Sequence, residues 1–143
     1  MNAARAIGNF LQLLTVDLIK KSAFVGLFNK LLMLWLKIPP QVRWNACYAL
    51  GNAMKNEALY DSSLNGSPMG NWQSLVFNSL MELVITFRNF KVRINAAVAL
   101  SSPPQRKYYS QFFHAVWVSL LKAIPKKLER KRKWLSAIGK DSL

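Results

Sequence analysis

The chain has little of what reactions need. Its 143 residues include one cysteine, one histidine and six acidic side chains. With Cys47 alone, neither an intrachain disulfide nor a thiolate metal site can form. His114 lies among Phe112, Phe113 and Trp117, a setting in which a lone imidazole more often packs than catalyses. Asp17, Glu57, Asp61, Glu82, Glu129 and Asp141 are scattered. They form neither the paired carboxylates of a glycosidase nor the Glu-x-x-His spacing of a di-metal bundle. No glycine-rich phosphate loop is present. Strand signals are also missing: alternation is weak, and Asn65-Gly66 lies in a polar stretch rather than between two β-rich runs. These absences predict an all-α protein that is not an enzyme and holds no cofactor or metal.

Long apolar runs are scarce too. The most apolar stretch, Phe24 to Leu36, is interrupted by Asn29 and Lys30 and bounded by Lys21 and Lys37. A spanning helix needs about 20 apolar residues, so this stretch predicts a buried helix and no membrane contact. Arg5 and Asn9 break the first apolar stretch before it forms a secretory signal, which predicts an intracellular chain, cytoplasmic or nuclear.

What is present is a repeated phrase. Asn2-Ala3-Ala4-Arg5-Ala6-Ile7-Gly8-Asn9 returns as Asn45-Ala46-Cys47-Tyr48-Ala49-Leu50-Gly51-Asn52, and again as Asn95-Ala96-Ala97-Val98-Ala99-Leu100-Ser101-Ser102. The second and third copies share a lead-in, Val42-Arg43 and Val92-Arg93. Copies starting at residues 2, 45 and 95 have the period of a helical repeat array. The alanines predict close helix approach at no cost in helix propensity. Ile7, Leu50 and Leu100 are the predicted apolar anchors. Cys47 takes the slot of Ala4 and Ala97, so Cys47 and Ala97 are predicted to be buried packing residues.

The phrase Val-Arg-x-Asn-Ala-Ala/Cys-x-Ala-Leu resembles the second helix of a HEAT repeat. The resemblance covers residues 1–123 and implies an all-α, right-handed α-solenoid of antiparallel helix pairs, HEAT or armadillo-like, here as a truncated array. It divides into a partial repeat 1–21, repeats 22–56 and 72–102, and a partial repeat 105–123. Where many HEAT repeats carry Asp in the turn between helices, this chain offers Asn89. The chain is 52% hydrophobic with no polar cap at either end of the array, which predicts an internal piece of a longer array, a truncated gene product or a short isoform, and self-association through uncapped ends. The helices are expected at about 2–20, 23–37, 41–55, 72–87, 91–101 and 106–124. Pro39-Pro40 and Pro103-Pro104 are the stops, and 61–71 is an exposed loop.

Charge is the second strong feature. The formal net charge is +14. Lys126, Lys127, Arg130, Lys131, Arg132 and Lys133 crowd the segment 124–143, a basic tail that reads as a nuclear import signal or a nucleic-acid patch. Two functions therefore stand. One is a scaffold that binds other proteins, with Arg43, Trp44, Tyr48 and Arg93 as the expected partner-binding residues. The other is an electrostatic RNA or DNA binder, with the tail contacting nucleic acid or a nuclear import receptor.

Overall fold

The computed structural model describes residues 2–21, 37–39, 43–64 and 72–123. Among these, every regular element is helical and no strand occurs. The α-helices are α1 (Asn2–Gln12), α2 (Val16–Lys20), α3 (Arg43–Met54), α4 (Trp72–Thr86), α5 (Phe90–Leu100) and α6 (residues 113–123). Short 3-10 segments at Glu57–Tyr60, Ser62–Leu64 and Arg106–Phe112 join them. The expected helix at 23–37 up to residue 36, with its apolar run, the loop beyond residue 64 up to residue 71 and the tail 124–143 lie outside the described residues.

The three phrase copies form the spine. α1 packs on α3 and α3 packs on α5, while α4 packs on α5 as its hairpin partner. The contacts between α1 and α3 follow the phrase spacing. Asn52 donates to the Asn9 side chain at 2.8 Å across 43 residues, and Asn56 donates to the carbonyls of Leu11 (2.9 Å) and Leu14 (2.8 Å). The two helices therefore run side by side in the same direction and the same register. α3 lies between its neighbours, and residues 45–47, 49 and 50–54 are all buried. Leu50 and Leu100 are fully buried anchors, as the phrase predicts.

Local chemistry sets the ends. Asn89 caps α5 by accepting from the amides of Lys91 (3.0 Å) and Val92 (3.3 Å), the role expected of Asn or Asp at a helix start. Ser101 and Ser102 hydroxyls donate back to the carbonyls of Ala97 and Val98, and Pro103-Pro104 follow.

Two expected helices differ. The helix expected over 2–20 breaks after Gln12 and restarts at Val16. The break is stabilised from a distance, because the Asn56 amide takes up the carbonyls of Leu11, at the end of α1, and Leu14, within the break. The helix expected over 106–124 opens as a 3-10 segment that kinks at Ser110, where φ is 48°, before α6 begins. Tyr108 and Tyr109 are anchored to different neighbours. Tyr108 stacks on Tyr60 at 4.3 Å and its carbonyl accepts from Gln73, whereas the Tyr109 hydroxyl donates to the Leu100 carbonyl and its ring lies against Phe77. These anchors hold Ser110 in the left-handed region that non-glycine residues rarely adopt.

Candidate partner-binding face

The closeness of the spine rests on two glycines. A Cβ added to Gly8 would lie 2.5 Å from the Ala49 Cα and 2.8 Å from its Cβ and carbonyl oxygen. One added to Gly51 would lie 3.2 Å from the Ala99 Cα. The seventh residue of one phrase thus meets the fifth residue of the next, twice in succession. Ala46, Ala49, Ala96 and Ala99 are buried as the phrase requires. Ala3 and Ala6, on the outer flank of α1, are exposed, and Ile7 is partly buried.

Close stacking brings side chains of successive copies together on one face. Arg5 of α1 lies over the Tyr48 ring of α3, 5.0 Å from its centroid. Lys91 of α5 lies over the Trp44 ring of α3 at 4.1 Å. Both are cation–π distances. Hydrogen bonding from Asn52 and then from Arg5 holds the Tyr48 hydroxyl below the usual phenol range. Lys55 donates to Asn52 at 3.2 Å, which ties this cluster to the Asn9–Asn52 pair. The sequences of α1, α3 and α5 contain no acidic residue.

The four expected partner-binding residues divide. Trp44 and Tyr48 are partly exposed and sit in this cluster. Arg93 does not: it is buried, and its Nε donates to the Val84 carbonyl at 3.0 Å, tying α5 to α4. The equivalent Arg43 donates its Nε to the Ile38 carbonyl at 3.2 Å and lies over the Phe87 ring at 5.4 Å. The Val-Arg lead-in is thus an internal clasp, repeated in two copies, because a guanidinium reaches back to a carbonyl of the preceding segment. Ala97 also departs from expectation. It is only partly buried, because the flank of α5 away from α3 faces a groove. Cys47 is buried as expected.

Sequence reasoning missed Arg5, Lys91, Asn9 and Asn52. Arg5 could have been found, since it and Tyr48 share the fourth position of their phrases; Lys91 becomes adjacent to Trp44 through packing alone. The six tail cations lie outside the described residues. His114 is exposed, and no cluster of three metal-ligating side chains occurs among the described residues. Nor, among them, is any helix long and apolar enough to cross a membrane.

No protein-family model matches the chain, and no solved structure matches it. Over 89 residues, 59% of its length, it is similar to an uncharacterised protein of Dictyostelium discoideum at 35% identity. The match spans 6% of that protein's length.

Proposed function

We propose that the chain is a non-enzymatic protein-interaction scaffold, a right-handed HEAT-type α-solenoid segment whose α1–α3–α5 face holds an acidic stretch of another protein. The observation that carries this reading is the register of the stack, in which three copies of one phrase lie side by side with contacts at the repeat spacing. A helical array of this kind buries its apolar faces against neighbouring copies and leaves an extended surface free. That surface presents Arg5, Tyr48, Trp44 and Lys91 with no carboxylate on the three helices. Cations beside aromatic rings suit a partner that offers carboxylates and apolar contact together.

The test is anisotropy titration with a fluorescein-labelled acidic peptide containing aromatic residues. Trp44→Ala with Tyr48→Ala is expected to weaken binding at least tenfold with the far-UV spectrum unchanged. Unchanged affinity would rule this face out.

A second reading is electrostatic RNA or DNA binding. Arg106 lies over Phe113 at 4.4 Å and Lys107 over Tyr108 at 5.0 Å, which adds cation–aromatic pairs to the basic tail. Salt separates the two readings. Phosphate-driven binding loses about three to five decades of affinity between 50 and 200 mM salt. Binding to a packed protein face loses far less.

A further inference from the structure

The two flanks of a phrase helix are not alike. The Gly8–Ala49 and Gly51–Ala99 contacts set the seventh phrase position toward the following copy and the fifth toward the preceding one. Helical spacing carries the second and ninth positions onto the flank of the fifth. On α3 this flank is Ala46, Ala49 and Ala53, and on α5 it begins with Ala96 and Ala99, all of them buried. On α1 the same flank is Ala3, Ala6 and Phe10, continued just past the helix end by Leu13, and all four are exposed. Phe10 is 55% exposed and Leu13 81%.

α5 leaves the other half of the seam open. Ser101, at the seventh position, is exposed where Gly8 and Gly51 are buried. Beside it a groove of about 230 Å³ runs between the end of α5 and α6, lined by Ser101, Tyr109, Phe113, Val116, Trp117 and Leu120. Trp117 is 56% exposed. By the rule of the two internal contacts, what faces Ser101 is the fifth position of a phrase. The fifth positions of α3 and α5 are buried, and that of α1, Ala6, is exposed. α1 also carries the group that suits the groove. At the ninth position α3 has Ala53, which fits beside a contact as close as that of Gly8 with Ala49. α1 has Phe10 there, and the groove has room for a ring. In the same register Asn9 comes opposite Ser102, as Asn52 comes opposite Asn9.

We propose that α1 of a second copy docks against the end of α5, with its Ala6 on Ser101 and its Phe10 in the groove beside α6. This repeats between chains the seam that joins α1 to α3 and α3 to α5 within one chain. The contact is head-to-tail, so each added copy leaves the same two flanks open and the row lengthens with concentration. Each chain carries a formal net charge of +14, so repulsion opposes the contact, and salt that screens the repulsion strengthens association. The inference rests on the repeat reading above. It does not depend on what the α1–α3–α5 face binds.

The test uses the full chain in sedimentation velocity over a range of concentration and salt. Mass is expected to rise with concentration, and more steeply at higher salt. Phe10→Gln with Leu13→Gln alters one flank, and Ser101→Gln with Trp117→Gln alters the other. All four side chains are exposed, and glutamine leaves the charge unchanged. Each variant alone should be monomeric. An equal mixture of the two should form a dimer and stop there, since each retains the flank the other lacks. A parent chain that stays monomeric up to its solubility limit would overturn the docking without any variant. So would association that persists in either variant, which would place the contact on another surface, or a mixture that stays monomeric. If a glutamine variant fails to fold, Ala6→Cys and Ser101→Cys proteins in a Cys47→Ala background are mixed with a short bismaleimide. They should cross-link to each other, and cross-links that are absent or join only like chains would overturn the docking. Failure of the repeat reading itself reads out elsewhere, as a Gly8→Ala protein no less stable than its parent.

Discussion

Gly8→Ala and Gly51→Ala are the same chemical change at equivalent phrase positions, and the structure assigns them different outcomes. In a helix interior, alanine is favoured over glycine by about 0.5–1 kcal/mol. At Gly51 the new methyl would meet the Ala99 Cα and the Ser102 Oγ at 3.2 Å and the Ala99 Cβ at 3.4 Å. A shift of a few tenths of an ångström relieves that, so gain and strain nearly cancel, and the variant should stay within about 1 kcal/mol of its parent. At Gly8 the methyl would lie 2.5 Å from the Ala49 Cα. That atom is backbone in a buried helix and cannot rotate away, so α1 must move off α3. Overpacking of this kind costs about 1–3 kcal/mol, which leaves a net loss of about 1–2 kcal/mol after the propensity gain. For a chain of this size the melting temperature should fall by about 3–6 °C. Urea unfolding followed by far-UV circular dichroism measures both variants. Adding Ala49→Gly should rescue the Cβ share of the clash and leave the Cα share, so the double-mutant coupling should be favourable but incomplete. A Gly8→Ala protein as stable as Gly51→Ala would mean that α1 does not lie on α3 as described.

Leu50→Ala and Leu100→Ala should each cost about 2–5 kcal/mol in the same assay, since both side chains are fully buried; parent-like melting of either would contradict the stack. Cys47 should react with a maleimide only as fast as the chain unfolds, and rapid native-state labelling would place it at the surface. Arg93→Met keeps the stem but loses the bond to the Val84 carbonyl, so it should destabilise by about 1–3 kcal/mol without the fall in peptide affinity expected of Trp44→Ala; the reverse pattern would return Arg93 to the binding face. Tyr60 gives a pH dependence. Burial, reinforced by Tyr109 and Tyr108, raises its phenol well above the ordinary value of 10. The unfolded chain therefore releases this proton first, and stability, full below pH 10, should fall as the pH climbs above it. Tyr60→Phe loses the bond to the Met54 carbonyl but should flatten that alkaline decline; an equally steep decline would assign it to other groups.

The helical class was legible because it rests on local chemistry. Alanine-rich phrases, an asparagine before Phe90 and proline pairs after helices act within a few residues of themselves. The breaks were not legible because they depend on distant partners. Nothing near Leu13 announces that Asn56 will take up the carbonyls around it, and nothing near Ser110 announces that Tyr108 and Tyr109 will be held by different elements. An unbroken helical pattern was the correct local reading in both places, and tertiary contacts overrode it.

The site was legible by the same division. Position in the phrase told which residues are equivalent, and equivalence rightly grouped Arg43 with Arg93. It did not tell which way either points. An arginine after a valine at a helix start can reach outward to a partner or back to a carbonyl, and the hairpin geometry decides for the second. Tyr48 and Trp44 remained on the face because α3 is covered on two sides and open along a strip between them. That strip gathers its cations from α1 and α5, so the chemistry of the face belongs to no single copy. A surface assembled in this way can vary by one side chain per copy while the seam of Gly8, Ala49, Gly51 and Ala99 stays fixed. Arg5, Tyr48 and Val98 already differ at the fourth position of three phrases whose packing positions are nearly constant.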